Sequence, residues 1–389
     1  MARAAVVGAG MTKFGVHDTP MQELFDEAAF AALDDAGVSP GDIDALYFGN
    51  AMGGSTENET HLGPKIAAHV GMSGIPVQRF EDACATSSNA FKNAVEAVET
   101  GVHDVVLVGG TERCTPKTGK DTPEMTRIFG SASHRQYEQP TGLTFPGVFA
   151  LLTKRHMHVH GTTEEQLAHV AVKNHGNGAL NPNAHFGKEV TVEEALDSPV
   201  IADPFRLMDC CPFSDGASAV VVVSEDAAAS YDAPVDVSGV GHATDVIPIG
   251  DKAEIGVTQA ARDAAAQAYE QADTTADAME FAEVHDCFTI AEVIALESLG
   301  FYEPGEAISA ARHGETTIDG ELPVNLSGGL KAKGHPVGAT GGAQISELTK
   351  LLRGDHVNSD AVEDATVGLT HNAGGTVASC VVHVLEVRE

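Results

Sequence analysis

The segment EDACATSSNAF places a cysteine, Cys84, immediately before a predicted helix over residues 86–100. Free backbone N–H groups and the positive end of the helix dipole lie at such a position, and both stabilise a thiolate. We therefore expect a lowered pKa for Cys84 and a role as a covalent nucleophile, whose own backbone N–H could also hold an oxyanion. A lone cysteine at a helix start can equally be a small hydrophobic residue, so the assignment depends on its surroundings.

A histidine in a glycine-rich turn is the first candidate partner. The segment SGGLKAKGHPVGATGG places His335 in a turn that opens a predicted helix over residues 338–353, and Pro336 fits the first helical turn. Glycines let the backbone approach a ligand closely, so the imidazole could reach an active-site thiol and act as its general base. Alternatively, His335 only caps the loop.

Two further segments end or follow predicted buried strands. EVHDCFT sets His285, Asp286 and Cys287 at the carboxyl end of a predicted strand over 279–285, the usual ligand edge of a parallel sheet. LTHNAGGTVAS supplies Asn372 and the pair Gly374-Gly375 near the C-terminus, together with His371. Its backbone N–H groups are free to point at a developing charge. We therefore expect an oxyanion hole formed by the N–H groups of Cys84 and Gly374, with Asn372 and Gly375 contacting substrate.

The elements that must position these residues occur in two similar series. The first series contains helix 21–36, strand 44–50, a helix near 61–70, helix 86–100 and strand 105–110. The second contains helix 257–272, strand 279–285, helix 289–299, strand 324–328, helix 338–353 and strands near 366–371 and 379–387. Strands alternating with helices predict an α/β fold with parallel pairing, and the repetition predicts a pseudo-twofold. We place the halves at 1–230 and 231–389.

Between the two series, residues 113–206 are rich in His, Gly, Pro and Asn and are interrupted by short helical stretches, which favours a substrate-covering insert. The net charge of −33 opposes binding to nucleic acid or anionic membrane and is typical of adaptation to high salt. The insert alone is formally neutral, with ten Lys/Arg and ten Asp/Glu, which suits a polyanionic ligand or arises by chance. Its cations are Arg113, Lys117, Lys120, Arg127, Arg135, Lys154, Arg155, Lys173, Lys188 and Arg206.

The chain shows no signal peptide and no apolar run long enough to span a bilayer. Six cysteines have neither zinc spacing nor the density of a disulfide scaffold, so we expect reduced thiols and a cytoplasmic protein. The run HMHVH at 156–160 could suggest a metal site, but its period of two is equally that of one face of an extended strand. We predict no metal.

The segments around Cys84, His285, His335 and Asn372, taken together, resemble the thiolase superfamily, and the resemblance covers nearly the whole chain. It implies duplicated βαβαβαββ halves in a five-layer αβαβα arrangement, with the insert as a loop domain that covers coenzyme A. The implied reaction is reversible condensation of acyl-CoA with acetyl-CoA, or thiolysis of 3-oxoacyl-CoA. No cofactor is then required, and CoA is a substrate.

Two departures from the common thiolase pattern narrow the resemblance. This chain has His285-Asp286-Cys287-Phe288 in place of Asn-Glu-Ala-Phe, and Asn372-Ala373-Gly374 in place of Cys-x-Gly. Both changes are similar to sterol-carrier-type and archaeal thiolases, in which the second catalytic cysteine has moved into the His-Asp-Cys-Phe motif. The resemblance therefore implies that Cys287 is the acid/base and that His285 and His335 stabilise the thioester enolate.

Other readings stay open at this point. A hydroxymethylglutaryl-CoA synthase or a ketoacyl synthase shares the fold, and a thiolase-like acyl-CoA-binding subunit would have no turnover. By resemblance we expect a homodimer or homotetramer. The resemblance also suggests a small zinc-binding OB-fold partner and a hydroxymethylglutaryl-CoA synthase in the same assembly.

Overall fold

The computed structural model describes residues 3–116 and 121–388. Within these ranges the strands are β1 (Ala4–Met11), β2 (Ala45–Gly49), β3 (Val77–Phe80), β4 (Val105–Arg113), β5 (Val200–Ala202), β6 (Phe205–Arg206), β7 (Asp215–Val223), β8 (Val235–Thr244), β9 (Phe281–Val284), β10 (Val367–Gly374) and β11 (Ser379–Val387). The α-helices are α1 (Met21–Ala36), α2 (Gly53–Thr56), α3 (Leu62–His69), α4 (Thr86–Glu99), α5 (Thr122–Gly130), α6 (Phe145–His160), α7 (Glu164–Leu180), α8 (Val192–Asp197), α9 (Glu225–Ala228), α10 (Gln259–Ala272), α11 (Thr289–Ser298), α12 (Ala307–His313), α13 (Gly329–Ala332) and α14 (Thr340–Arg353).

Nine of these strands form one mixed sheet in the order β3-β2-β4-β7-β1-β8-β11-β10-β9. Antiparallel pairing of β1 with β8 joins a first part of five strands to a second part of four. Strand order along the chain and in the sheet makes β1, β2, β4 and β7 the counterparts of β8, β9, β10 and β11. The duplicated fold predicted from the sequence is thereby confirmed, while the boundary at residue 230 stays a prediction.

The counterpart of β3 in the second part is reduced to a single bridge between Ala282 and Val324. The predicted strand over 324–328 is therefore wrong as a regular strand. The reason lies at Asn325, whose φ of 56° is left-handed and turns the chain away from the sheet. The Asn325 side chain instead accepts a hydrogen bond from the backbone N–H of Val284 at 2.8 Å.

The sheet curves around two central helices. Apolar residues of α4 and α14 share one core with strands of both parts of the sheet, whereas α1 and α3 cover the outer face of the first part and α10 and α11 that of the second. Close helix-to-strand packing repeats as well. A Cβ at Gly8 in β1 would lie 2.2 Å from the Ala32 carbonyl of α1, and one at Gly239 in β8 would lie 2.2 Å from the Ala268 carbonyl of α10. Layers alternate as α, β, α, β, α.

The insert contains two long helices, α6 and α7, of 16 and 17 residues, rather than only the short stretches predicted. The HMHVH run lies in α6, so the strand alternative for it is wrong. Its first histidine, His156, is buried between Thr162 and Glu297 and belongs to the core. Within the described ranges, no helix combines the length and the apolar character needed to cross a membrane.

Most cations of the insert are engaged by acidic side chains. Lys117 and Lys120 lie outside the described residues, and six of the other eight form ion pairs with Asp or Glu: Arg113, Arg127, Lys154, Lys173, Lys188 and Arg206. The pair of Lys173 with Glu292, at 3.0 Å, is buried and ties α7 to α11. Four of these pairs are internal to the insert, and those of Arg113 and Lys173 join it to Glu57 and Glu292 outside it.

Candidate active site

Cys84 lies in the turn between β3 and α4, with the helix beginning two residues later as predicted. The preceding residue, Ala83, has a left-handed φ of 45°. The hydroxyl of Thr86 secures this turn, because it donates to the Ala83 carbonyl at 2.5 Å and accepts from the Asp82 N–H at 2.9 Å. The thiol of Cys84 therefore stands at the amino end of a central helix, against the second part of the molecule.

The expectation of a lowered pKa for Cys84 is wrong. Burial raises the pKa of this thiol to about 12, and the carboxylates of Asp82 and Glu112 add to the rise. A hydrogen bond from the backbone N–H of Gly375 opposes it without prevailing. Loss of hydration outweighs the helix dipole at this depth, so Cys84 is a neutral thiol at neutral pH and needs a base beside it.

His335 lies in the turn that leads into α14 and has the geometry of such a base. Its Nδ1 lies 2.7 Å from the hydroxyl of Thr340, and that hydroxyl donates to the Pro336 carbonyl at 2.9 Å. Because the hydroxyl proton is committed to the carbonyl, the ring proton must be on Nδ1. Burial lowers the pKa of His335 to about 3, so the ring is neutral and its Nε2 is free to accept a proton.

His285 follows β9 and faces the same point. The ring planes of His285 and His335 are nearly perpendicular, with centroids 5.1 Å apart. The side-chain amide of Asn372 donates to Nδ1 of His285 at 3.0 Å, which leaves the ring proton on Nε2 as a donor. Burial, with His335 and His371 nearby, keeps the pKa of His285 well below its ordinary value. One atom each of Cys84, His285 and His335 fall within 4.8 Å of one another.

Cys84 and His335 line a cavity of about 380 Å³. Cys287 lines it too, and burial raises the pKa of its thiol well above the usual range. The remaining walls are largely apolar and include Met52, Phe129, Phe145, Phe149, Ile201, Leu207, Phe213 and Phe288. Three of the four predicted catalytic residues thus line one space, and the fourth, His285, lies within 4.8 Å of two of them, Cys84 and His335, and lines the adjoining crevice.

The structure places Gly375, rather than the predicted donor Gly374, against Cys84. Gly375 lines the cavity and directs its N–H at the Cys84 sulfur. Gly374 instead pairs with Ser379 in the β10–β11 ladder, and its carbonyl accepts the Ala378 N–H at 3.1 Å. The geometry therefore favours Gly375 over Gly374 as the oxyanion donor. Asn372 acts on the ring of His285, which gives it a contact with the site through that histidine.

Sequence reasoning gave no role to Asp286, which holds the site together. Its buried carboxylate accepts from the Leu330 N–H at 2.6 Å and from the Asn174 amide at 2.7 Å. It thereby fastens the loop that carries His335 to the end of β9. Gly329 makes this approach feasible, since its φ is 56° and an added Cβ would lie 2.4 Å from the carboxylate. Burial raises the pKa of Asp286 to about 7.

Cys84, His285 and His335 are also the one group of His, Cys, Asp and Glu in the described chain compact enough to hold a metal ion. The same closeness is what a nucleophile, its base and a second donor require. The absence of a metal therefore stays a prediction.

A half-buried thiol beside a neutral imidazole, where two matching half-folds meet, defines a cysteine-dependent acyltransferase of duplicated α/β architecture. Residues 4–226 match the family described as "Thiolase, N-terminal domain", and residues 241–387 match "Thiolase C-terminal domain-like". The chain belongs to the thiolase family.

Individual relatives agree with this assignment. The chain is 43% identical over 386 residues to an acetyl-CoA acetyltransferase of Methanothermobacter thermautotrophicus, covering 99% of each chain. It is 32% identical to human sterol carrier protein 2, covering 96% of this chain and 70% of that protein. Among solved structures, the Ltp2-ChsH2(DUF35) aldolase is similar with a TM-score of 0.83 at 27% identity, covering 99% of this chain and 98% of that one. Human mitochondrial 3-ketoacyl-CoA thiolase in complex with CoA shares the fold, with a TM-score of 0.75 at 21% identity over 100% of both chains.

Proposed function

We propose that this protein is an acetyl-CoA C-acyltransferase that works through an acyl-Cys84 intermediate. The observation that carries the proposal is the grouping of Cys84, His285 and His335 within 4.8 Å, with Cys84 and His335 at the wall of a largely apolar cavity. Identity of 43% with a protein named acetyl-CoA acetyltransferase supports the choice of acyl donor. Acyl-CoA and CoA are then the substrates.

In the first half-reaction, Nε2 of His335 takes the proton of the Cys84 thiol as the sulfur attacks the thioester carbonyl. The pKa values of the two groups, about 12 and about 3, require transfer to accompany attack rather than to precede it. The N–H groups of Cys84 and Gly375 hold the tetrahedral oxyanion. Collapse breaks the bond to the CoA sulfur, which leaves with a proton from Cys287.

In the second half-reaction, a second acyl-CoA places its α-carbon beside the resulting Cys287 thiolate. That thiolate removes an α-proton, while Nε2–H of His285 and the now protonated His335 hold the enolate oxygen. The enolate carbon attacks the acyl group on Cys84 and forms the new carbon–carbon bond. The Cys84 sulfur leaves and recovers its proton from His335, so all three groups return to their starting state. Thiolysis is the reverse.

The test combines turnover with trapping of the intermediate. Purified protein is assayed for CoA release from acetyl-CoA and for thiolysis of acetoacetyl-CoA and longer 3-oxoacyl-CoAs. Mass spectrometry then locates the acetyl group. We expect Cys84→Ala to lose both the adduct and turnover, and Cys287→Ala to lose turnover. Full activity of Cys287→Ala would show that its acid/base role is wrong, and a wild-type protein that acquires no acetyl group on Cys84 would favour a non-catalytic acyl-CoA-binding subunit.

The synthases of the same fold give different products. A hydroxymethylglutaryl-CoA synthase would consume acetoacetyl-CoA together with acetyl-CoA, and a ketoacyl synthase would release CO₂. Formation of acetoacetyl-CoA from acetyl-CoA alone, without CO₂, separates the proposed reaction from both. Cys287 in the cavity favours the thiolase reaction, because it supplies a second thiol for proton transfer.

Assembly and setting belong to the same proposal. We expect a cytoplasmic homodimer or homotetramer from a halophile, which sedimentation at high and low salt would test. The similar structure named Ltp2-ChsH2(DUF35) aldolase joins two protein names, which supports a search for a small OB-fold partner and a hydroxymethylglutaryl-CoA synthase by co-purification of the native protein.

A further inference from the structure

A buried imidazole beside the site has no part in the proposed reaction. His371 is 2% exposed, and its Nδ1 accepts the backbone N–H of His285 at 3.3 Å. Burial lowers the pKa of His371 to about 4, so the ring is neutral. Because Nδ1 is an acceptor, the ring proton is on Nε2. Within the described residues, that Nε2 has no hydrogen-bond partner.

His371 lines a narrow crevice that Cys287 also lines. The crevice has a volume of about 10 Å³, which is roughly the space of a single water molecule. It is lined by His285, Cys287, His371 and Thr258 among apolar neighbours, and it shares Phe149, Cys287 and Gly375 with the main cavity. Because His285 occupies Nδ1 of His371, Nε2 is the ring nitrogen left to bond a group or a water molecule in this space.

Cys287 needs a hydrogen-bond donor there. Its thiolate must persist between the two half-reactions of the proposed function, yet burial above all, and the nearby carboxylate of Asp286, disfavour it. The backbone N–H of Phe288 is one donor to the sulfur. A buried anion usually requires more than one such donor to form readily.

We propose that His371 is a positioning residue for proton transfer, whose Nε2–H donates a hydrogen bond to the Cys287 thiolate, directly or through one water molecule. The proposal rests on the proposed function. His371 keeps its own proton throughout: Cys287 gives its proton to the departing CoA sulfur and regains one from the α-carbon. His371 thus stabilises the charged form of Cys287 without taking part in the exchange.

Two substitutions separate this role from a structural one. His371→Asn places an amide near Nδ1, where it can still accept from His285, but it removes the donor at Nε2. His371→Gln places an amide N–H near Nε2. A structural role limited to the hydrogen bond with the His285 N–H predicts that Asn is tolerated at least as well as Gln, whereas the proposed role predicts the opposite order. Thermal unfolding of both variants establishes that they fold.

The readouts are condensation of acetyl-CoA and acetylation of Cys84 by 4-nitrophenyl acetate, whose phenolate leaves without needing a proton. We expect His371→Asn to lower kcat for condensation by about 10- to 100-fold, the effect of losing a hydrogen bond to a charged group. Its KM and its ester acylation should stay near wild-type values, and His371→Gln should recover most of the loss.

Equal losses in both reactions, no loss in His371→Asn, or better activity in Asn than in Gln would each overturn the proposal. A wild-type enzyme that is acetylated by the ester but does not condense acetyl-CoA would overturn the proposed function itself, and this role with it.

Discussion

The two parts of the sheet place different side chains at matching positions. Asn50 follows β2 as His285 follows β9. The side chain of Asn50 forms its hydrogen bonds with other residues of the first part. It donates to the Thr111 carbonyl and to Glu112, both at 2.9 Å, and accepts from Arg79 at 2.8 Å. His285 uses one ring nitrogen for Asn372 and keeps the other for the cavity. The two positions are equivalent in the fold, but they differ in their unused hydrogen-bonding capacity. His285 keeps a free ring nitrogen and can take part in chemistry, whereas Asn50 has a structural role.

The two parts of the sheet therefore contribute different groups to the site. The first part contributes the Cys84 nucleophile on a framework of residues such as Asn50, which use their polar groups internally. The second part contributes two neutral imidazoles and the second thiol, on His285, His335 and Cys287, and burial holds each in the form from which the reaction starts. Variants in the second part should therefore reduce chemistry, and variants in the framework of the first should reduce stability.

The largest effect is expected for the base in the second part. His335→Ala should lower kcat/KM by about 10³- to 10⁴-fold, near the upper end for loss of a general base, while the protein stays folded. Steady-state kinetics and circular dichroism measure both. His313→Ala, at an exposed position on α12, is the matched control and should behave as wild type. Activity within tenfold of wild type in His335→Ala would break the assignment of chemistry to the second part.

The next effect concerns the nucleophile of the first part. Because the pKa of Cys84 is raised to about 12, its thiolate fraction should grow about tenfold per pH unit, so the rate of alkylation by iodoacetamide should rise about 10³-fold between pH 6 and 9. Mass spectrometry of the peptide containing residue 84 measures the rate. A plateau above pH 7 would instead indicate a preformed thiolate–imidazolium pair, in which His335 already holds the proton and burial does not keep Cys84 neutral.

A smaller effect on the rate of acylation is expected at Thr340, the residue that orients His335. Thr340→Val removes the acceptor that keeps the His335 proton on Nδ1, and acylation should slow by about 10- to 100-fold. Thr340→Ser should restore the rate. Thr349→Val, on the same helix, is the control, because the buried hydroxyl of Thr349 has no hydrogen-bond partner among the described residues. Equal rates for Thr340→Val and Thr349→Val would show that the tautomer is set in another way.

The smallest effect on catalysis should come from the framework of the first part. Asn50→Ala removes one hydrogen bond each from Arg79, Glu112 and the Thr111 carbonyl, so the free energy of unfolding should fall by about 1–3 kcal/mol while kcat of the folded enzyme changes little. Denaturant titration alongside kinetics measures both quantities. The matched variant Asn372→Ala should show the reverse, since it frees the ring of His285. A catalytic loss in Asn50→Ala equal to that in Asn372→Ala would erase the contrast between the two parts.

Periodicity and motif spacing located much of this arrangement before the structure. Helix α1 spans residues 21–36 as predicted. Three of the four proposed catalytic residues line one cavity, and the fourth, His285, lies within 4.8 Å of Cys84 and His335. Local patterns succeed here because an amphipathic helix and a glycine-rich turn are encoded by near neighbours in sequence.

What sequence reasoning could not supply depends on burial. A lowered pKa was expected for Cys84 because the residue precedes a helix. That expectation left out the loss of hydration and the nearby carboxylates, which raise the pKa. The HMHVH run spans only five residues, which are too few to distinguish a helix from a strand by the spacing of its histidines. The hydrogen bonds by which Asp286 holds the loop that carries His335 had one signal in the sequence, a carboxylate at the end of an apolar run. The Gly-Gly pair of the partner loop lies more than forty residues further on, so the contact could not be predicted.

The pairing of β1 with β8 joins the two parts along only three residues of each strand, Ala4–Val6 and Val235–Val237. A ribosome that has released only the first 230 residues has therefore produced a thiol with no base to activate it. Enzymatic competence arises late in biosynthesis, after the C-terminal strands have docked and brought His335 beside the Cys84 thiol. Turnover can accordingly serve as a gauge of completed folding, with no need for a separate reporter.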